Sequence, residues 1–408
     1  MRPPAASTPL ETALVARAQN LAPMRAAAFD AFRRQGFPHR RIEGWRWSDF
    51  HAALRDAAPS PAPLHEIAAP LANDLAGLKP VELRIVNGRI DVPADAFPKG
   101  VQYGIIDAVG TIPELETHAI AALNVAMTRK ALGIEIGAGV DFAQPILVRH
   151  INTGAGFAFA QSLLRLCDGA RATLIETFEG EGASFYAHLF HLVLKDGARL
   201  DRSVIHQTGA AAVLHSICAA KVEAGAHLSQ ASLSTGARLA RHETHVHFVA
   251  GGAKTDIASA ALLSDERHND FTSEVLHIGP SCETRQRHKG VARDKGRNVF
   301  QGKFRVERGA QKTDARMNAD ALLLSDTAEA NHKPELEIYA DDVQCAHGST
   351  SGALDANAIF YMRQRGLSEE AARAMLIDAF VADVFDNVAH PGIAQAFRHR
   401  VAGWLEGA

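Results

Sequence analysis

The segment YADDVQCAHGSTSG, residues 339–352, places Cys345 two positions before His347, just after Asp341 and Asp342. A thiolate and an imidazole are ligand types that iron takes, and two positions apart on extended chain they point to the same side. Two ligands do not make a cage. Four normally hold a metal cluster, so further ligands would have to come from another surface. The same residues also read as a small buried cysteine and a hydrogen-bonded histidine closing a polar turn, and the residues alone leave both readings open.

Twenty histidines offer other candidates. RHETHVHF, residues 241–248, is one residue short of the H-E-x-x-H pattern that puts two histidines on one helix face. On a strand, His245 and His247 would share a face and could ligate metal, but they read first as a half-polar strand surface. HNDFTSEVLHIGPSC scatters His268, Asp270, His277 and Cys282 without a spacing that specifies coordination geometry. VAGGAKTD resembles a phosphate loop, yet Ala253 stands where glycine must precede the lysine, and Phe248 stands where the first glycine belongs. ATP hydrolysis by this chain itself is not expected.

Composition sets bounds. A chain of 408 residues with 47% apolar content can bury a large core, in about two or three domains. A net charge of -3 with interspersed bases gives no field for nucleic acid. Cys167, Cys218, Cys282 and Cys345 form no CxxC and read as reduced thiols. The N-terminus lacks a signal-peptide apolar region and no apolar run reaches the length of a membrane span, so a cytoplasmic protein with no membrane partner is expected.

The elements that must position these residues follow from periodicity. Thr8, Pro9 and Glu11 form a capping box at the start of one helix, and APMRAAAFDAFRRQGFP predicts a second, ending at Gly36. Trp45 and Trp47 read as anchors of this helical lobe on the main body, and Pro59 to Pro70 as a linker. From Val81, short apolar runs such as VELRIVNG, PILVRHI, ATLIETFEG and FHLVLKDG predict strands, interrupted by a helical pattern in ELETHAIAALNVAMTRKALG. Gly-Ala turns recur at Gly169, Gly197 and Gly225, spaced by 28, with another at Gly236. Strands between turns at fixed spacing, without intervening helices, predict a β-solenoid whose open ends need a cover.

The C-terminus offers one. Asp355 caps ANAIFYMRQRG, closed by Gly366, and Ser368 caps EEAARAMLIDAFVADVF. Ala372, Met375, Leu376, Ala379, Phe380 and Val384 fall on one apolar face, to pack on the solenoid or in a partner's groove. Three regions result: residues 1–78, N-terminal helices and linker; 79–350, β-helix core; 351–408, C-terminal helices.

KGVARDKGRNVFQGKFRVERGAQKTDARMNADALLLSD and KPELEIYADDVQCAHGSTSGALDANAIFYMRQRGLSEEAARAMLIDAF closely resemble the SufB/SufD family of the SUF iron-sulfur cluster assembly machinery, and its SufD branch more than SufB. GFPHRRIEGWRWSDF is similar to the family's leader region, so the resemblance spans nearly the whole chain. It implies a right-handed parallel β-helix flanked by helices, acting as a non-catalytic scaffold in a complex with SufB and the ATPase SufC. It further implies SufB on the β-helix and SufC on the C-terminal helices, where Asp355, Phe360, Arg365, Gly366, Met375 and Phe380 are candidate contacts. Cys345 and His347 would lie at the SufB interface, where iron or a cluster would pass transiently, with no cofactor held stably by the isolated chain. An isolated chain could pair with itself as a homodimer. Two other readings are weighed against this one. A polysaccharide-acting β-helix enzyme needs aromatic grooves and paired carboxylates, whereas aromatics are 6% here. A stand-alone metal-binding protein needs three or four ligands of its own.

Overall fold

The computed structural model describes residues 8–63, 71–94, 97–110, 115, 117–386 and 388–407. Its corners set its shape. Gly169, Gly197 and Gly225 adopt φ of 66°, 67° and 61°, the left-handed region that glycine enters without a Cβ penalty. Each donates its N–H to the matching corner one turn further on, to Asp196, Ala224 and Gly251, at 2.8 to 3.1 Å. The same bond runs from Gly139 to Asp168, Gly252 to Pro280, Ser281 to Gln311 and Lys312 to Asp342. Gly236 has φ of 69° but sits in a different corner and is not part of this ladder.

Strands stacked between the corners form two sheets in a parallel β-solenoid of about eight turns. Sheet 1 holds β2 (Arg89–Asp91), β1 (Val81–Val86), β5 (Asp141–Ile151), β7 (Arg171–Gly180), β9 (Arg199–Thr208), β11 (His227–Ser234), β13 (Lys254–Leu263), β15 (Glu283–Ala292), β17 (Asp314–Leu323) and β19 (Gln344–Gly352), in that order. Sheet 2 holds β3 (Val101–Asp107), β4 (Lys130–Ile136), β6 (Gly156–Leu166), β8 (Ser184–Leu194), β10 (Val213–Val222), β12 (Leu239–Phe248), β14 (His268–His277), β16 (Arg297–Val306) and β18 (Glu329–Ile338). Their inward residues, such as Leu174, Leu192, Leu228, Phe248 and Phe304, make one continuous core. At the N-terminal end β2 and β3 pair antiparallel with β1 and β4 and so end the stack.

Helices cover both outer faces. α1 (Pro9–Arg17) begins with the capping box at Thr8 and Glu11, and α2 (Pro23–Gln35) ends at Gly36. Leu10, Leu14, Phe29 and Phe32 pack with Phe50 and Trp45 onto Phe157, Phe185, Val213 and Leu239 of sheet 2. Trp45 anchors this lobe, whereas Trp47 is half-buried under its neighbour Arg46. The helical pattern after Glu114 is shorter than expected: α3 (Phe50–Ala53) and α4 (Asn73–Ala76) precede α5 (Ala119–Met127), and the chain is extended again at Thr128 and enters β4 at Lys130. Of the expected Pro59–Pro70 linker, residues 64–70 lie outside the described ones; Pro61 bridges to Phe157 of β6.

The C-terminal helices do not cover the end of the solenoid. α6 (Ala356–Gln364), α7 (Glu369–Ala382) and α8 (Pro391–Glu406) follow β19, and α7 and α8 lie along the outside of sheet 1. The reason is the outer face itself, where Leu147, Ile175, Ile205, Leu233, Ala260 and Val291 form an apolar stripe crossing many turns, far larger than the end of one turn. The apolar face expected on α7 is rotated as well. Ala372, Ile377, Val381, Val384 and Phe385 are buried, Phe380 is half-buried with Lys289 over its ring at 4.7 Å, and Met375 is 54% exposed.

Burial of imidazoles gives the fold a pH limit. Burial lowers His191, His215, His268 and His277 to about 4, and His288 to about 3. Below the ordinary pKa of 6.5 the unfolded chain takes up protons that the folded chain refuses, so stability falls with pH from about 6.5 to about 4. Each unit of depression is about 1.4 kcal/mol per site, so several such sites together are a large share of the ~5–15 kcal/mol net stability of a typical domain. Melting followed by circular dichroism should therefore show a plateau above pH 7, a steep decline below 6.5, and unfolding before pH 4. A melting temperature flat from pH 7 to 4.5 contradicts this.

Candidate functional site

β19 is the last strand of sheet 1, and its only strand partner among the described residues is β17. The register sets Cys345 beside Ala315 and His347 beside Met317. Ala315 and Met317 are buried on the inner side while Arg316 is exposed, so Cys345 and His347 follow them on the inner face. Here the inner face is uncovered, because no further turn lies on it. Cys345 is half-buried, packing near Val306, Ala310 and Ala340, and His347 is exposed. Burial raises the Cys345 thiol pKa, a backbone hydrogen bond from Ala315 opposes that, and Asp314 adds to it.

The facing wall of this last turn is β18, whose register sets His332 beside Phe300 and Leu336 beside Phe304, again on the inner side. Its Nε2 is buried without a hydrogen-bond partner, and burial lowers its pKa. Sequence reasoning missed His332, although alternation along EANHKPELEI places it in line with Leu336. Cys345, His347 and His332 share the exposed end but do not converge within one ligand sphere among the described residues.

Two sets of three ligand-type atoms do lie within 4.8 Å of one another. Inside the solenoid, His150, Glu176 and His188 meet; between sheet 2 and the helical lobe, His118, His215 and Glu243 meet. In each the carboxylate already holds a guanidinium. Arg202 donates to Glu176 at 2.6 Å and to Gln230 at 2.6 Å, and Arg241 donates to Glu243 at 2.7 Å and Asp270 at 2.7 Å, its guanidinium 4.0 Å from the Trp45 ring centroid. Burial pushes Glu176 up, but Arg202 and the His150 hydrogen bond hold it down at about 2. Burial likewise opposes ionisation of Glu243, and Arg241 followed by His118 keeps it well below the ordinary range. These are ion-pair networks that join turn to turn and lobe to sheet, and a divalent ion would have to displace a buried arginine to enter either.

The remaining candidates are spread apart. The His245 Nε2–H donates to the Glu243 carboxylate at 3.1 Å, and like His247 it is buried on the outer side of β12. Asp270 accepts from Ser48 and Arg241, His277 pairs with Thr284 at 3.1 Å, and the Cys282 thiol reaches Ala250 O at 3.3 Å. His268 and Asp270 sit near Ser48 at the start of β14, whereas His277 ends that strand and Cys282 lies in the corner before β15, so the four do not form one site. On the C-terminal helices, Asp355 caps α6 through Asn357 N, and Gly366 takes φ of 92°. α6 buries no residue; Phe360 is 65% exposed, and Arg365 donates to the exposed Tyr361 hydroxyl at 3.0 Å. Phe360, Tyr361, Leu367 and Met375 thus leave large apolar groups in solvent on the α6–α7 hairpin.

A stacked parallel solenoid with helices on both outer faces and a polar, uncapped last turn defines the class. Residues 149–380 match the SUF system FeS cluster assembly SufBD core domain, more than half of the chain, and the chain belongs to that family. It is 31% identical to the iron-sulfur cluster assembly protein SufD of Escherichia coli, over 92% of this chain and 90% of that one. The chloroplastic protein ABCI7 of Arabidopsis thaliana is 25% identical over 90% of this chain and 83% of its own length. The SufBD family protein slr0076 of Synechocystis is 36% identical over 38% of this chain. The chain is thus a SufD-type iron-sulfur cluster assembly protein. No helix among the described residues is long and apolar enough to cross a membrane.

The inner ion pair makes a quantitative prediction. Arg202→Met strands the buried Glu176 carboxylate and should cost about 3–5 kcal/mol. Adding Glu176→Gln in the same chain should recover most of that loss. Denaturant unfolding of the two variants measures it, and equal instability of single and double variants contradicts the pairing.

Proposed function

We propose that this chain is a non-catalytic scaffold subunit that pairs through its uncapped last turn with a SufB-like subunit and through the α6–α7 hairpin with a SufC-like ATPase. The observation that carries the reading is the exposed inner face of β18 and β19. A parallel solenoid leaves unpaired edge groups at its last strands, and such an edge is a template for another chain. Cys345 and His347 lie on that face, so a partner covering it would meet a thiol and an imidazole at the seam. There the two can contribute to binding iron or a nascent cluster as cargo, with the other ligands, His332 among the candidates, completed from both sides. The same edge gives an isolated chain a way to pair with a second copy.

The apolar groups exposed on α6 and α7 are chemically suited to docking another protein. Phe360, Tyr361 and Met375 are the proposed contacts, with Arg365 at the rim. Asp355 and Gly366 shape the hairpin, and Phe380 packs against sheet 1. A partner that hydrolyses ATP accounts for a machine subunit whose VAGGAKTD segment lacks the phosphate-loop glycines. A cytoplasmic setting suits the four free thiols.

Cys345→Ser and His347→Ala together should leave complex formation and the melting temperature near parent values. Iron and acid-labile sulfide per complex after anaerobic reconstitution should nonetheless fall sharply, because a hydroxyl is a poor substitute for a soft thiolate. Unchanged cluster content retires the pair as a site. Separately, Phe360→Glu with Met375→Glu should abolish capture of the ATPase without unfolding the chain, and retained capture removes the hairpin as its dock.

A further inference from the structure

A cleft of about 650 Å3 opens between the N-terminal helices and the first turn of the solenoid, far along the stack from Cys345. Its wall brings five cations from separate segments: Arg17 at the end of α1, Arg25 in α2, Arg89 opening β2, and Arg129 and Lys130 at the start of β4. No carboxylate lines it among the described residues. Lys130 is paired with Asp107 at 2.7 Å, and Arg25 donates to Ala126 O at 2.9 and 2.6 Å, capping the end of α5. Arg17, Arg89 and Arg129 make no ion pair among the described residues, and Arg17 lies 5.6 Å from the Phe157 ring centroid. Burial and the nearby Arg129 both disfavour the charge on Arg25, which places two guanidinium groups close together.

The position of Arg89 is fixed by the chain. Asn87 and Gly88 take φ of 46° and 83° in the hairpin turn between β1 and β2. The Asn87 amide donates to Pro63 O at 2.5 Å, and a Cβ on Gly88 would lie 2.7 Å from Phe159 O. The turn is therefore pressed onto β6, and Arg89 leaves it at a set angle. Between the cations the cleft is apolar: Ile90, Met127 and Phe159 line it, and Ile105 is 51% exposed there.

Several like charges held together in a concave site, in a chain of net charge -3, call for a multivalent anion. Guanidinium forks match phosphate oxygens bidentately, the apolar patch suits a ring or hydrocarbon body, and the volume is that of a small-molecule site. We propose that this cleft binds a phosphorylated small molecule of nucleotide size, with its phosphates on Arg89 and Arg129 and its apolar body on Ile105 and Phe159. This site is independent of the proposed seam at β18 and β19.

The test uses the full isolated chain and the fluorescent nucleotide trinitrophenyl-ADP. Saturable binding at one per chain is expected, displaced by pyrophosphate at millimolar concentration and not by equal ionic strength of sodium chloride. Arg89→Ala with Arg129→Ala should weaken it at least about tenfold while the melting temperature stays near the parent value, since both side chains are exposed and outside any ion pair. Ile105→Ser should weaken trinitrophenyl-ADP and leave pyrophosphate unchanged. Absence of saturable binding by the parent chain overturns the proposal. So does unchanged affinity in the arginine variant, or displacement by an acidic peptide such as polyglutamate where pyrophosphate has no effect, which would make the cleft a protein-docking surface.

Discussion

The structure depends on one repeated bond, the corner N–H that reaches the matching corner of the next turn. From Gly139 to Lys312 it fixes where each turn sits above the last. Because side chains alternate with a period of two, a slip of one residue would exchange the inner and outer faces of a strand. Held by the corners, each inner position keeps its column. One departure is instructive. The spacing from Gly139 to Gly169 is longer than from Gly169 to Gly197, and the surplus is taken up in β5, where the register shifts between Phe142 and Ile146. Pro145 lies in that shift, and having no N–H it cannot take part in the ladder.

Fixed columns also decide what happens to polar side chains. Arg202 and Gln230 share one inner column of sheet 1 and Glu176 lies in the neighbouring column beside Val204, so the three can reach one another, with His150 and His188 close by. Cys218 lies beside them and is pushed up to about 11 by burial, against the opposing effect of Arg202, so it is a thiol and not a thiolate in this interior. On the outer side of sheet 2, Arg241, Glu243 and Asp270 bind the helical lobe through Trp45 and Ser48. Burying such pairs contributes little net stability, but removing one member leaves an expensive charge behind. The networks therefore favour one docking of the lobe and one stacking of turns over alternatives.

Much of this was legible in the residues. Thr8 and Glu11, Asp355, Ser368 and the Gly-Ala corners announce their structures because each depends on local chemistry. Gly236 misled because a left-handed glycine marks any tight corner, not only those of the ladder. The outer stripe of sheet 1 was not legible, since Leu147, Ile175, Ile205 and Leu233 become neighbours only after the turns have stacked. For that reason the position of α7 and α8 could not be foreseen, nor the rotation that exposes Met375. The histidine clusters were hidden in the same way: His118 and His215 lie far apart in sequence and meet on Glu243. His332 and His347, by contrast, needed only the alternation of their strands.

The end of the solenoid follows from the same rule as its middle. Every turn up to β16 and β17 is closed over by the turn that follows, so the inner residues there are buried and most are apolar. β18 and β19 inherit the register, and with it the inward direction of His332, Leu336, Cys345 and His347, but no turn succeeds them. The helices that might have served as a cap are held elsewhere by the larger apolar stripe of sheet 1. Inner faces left open on a solenoid are costly in water if apolar and aggregation-prone if left as bare strand edges. Here they carry a thiol, imidazoles and the hydroxyls of Ser349 and Ser351, which tolerate water. A face whose inward groups tolerate water stays stable while open, which is the condition that the proposed reversible seam requires.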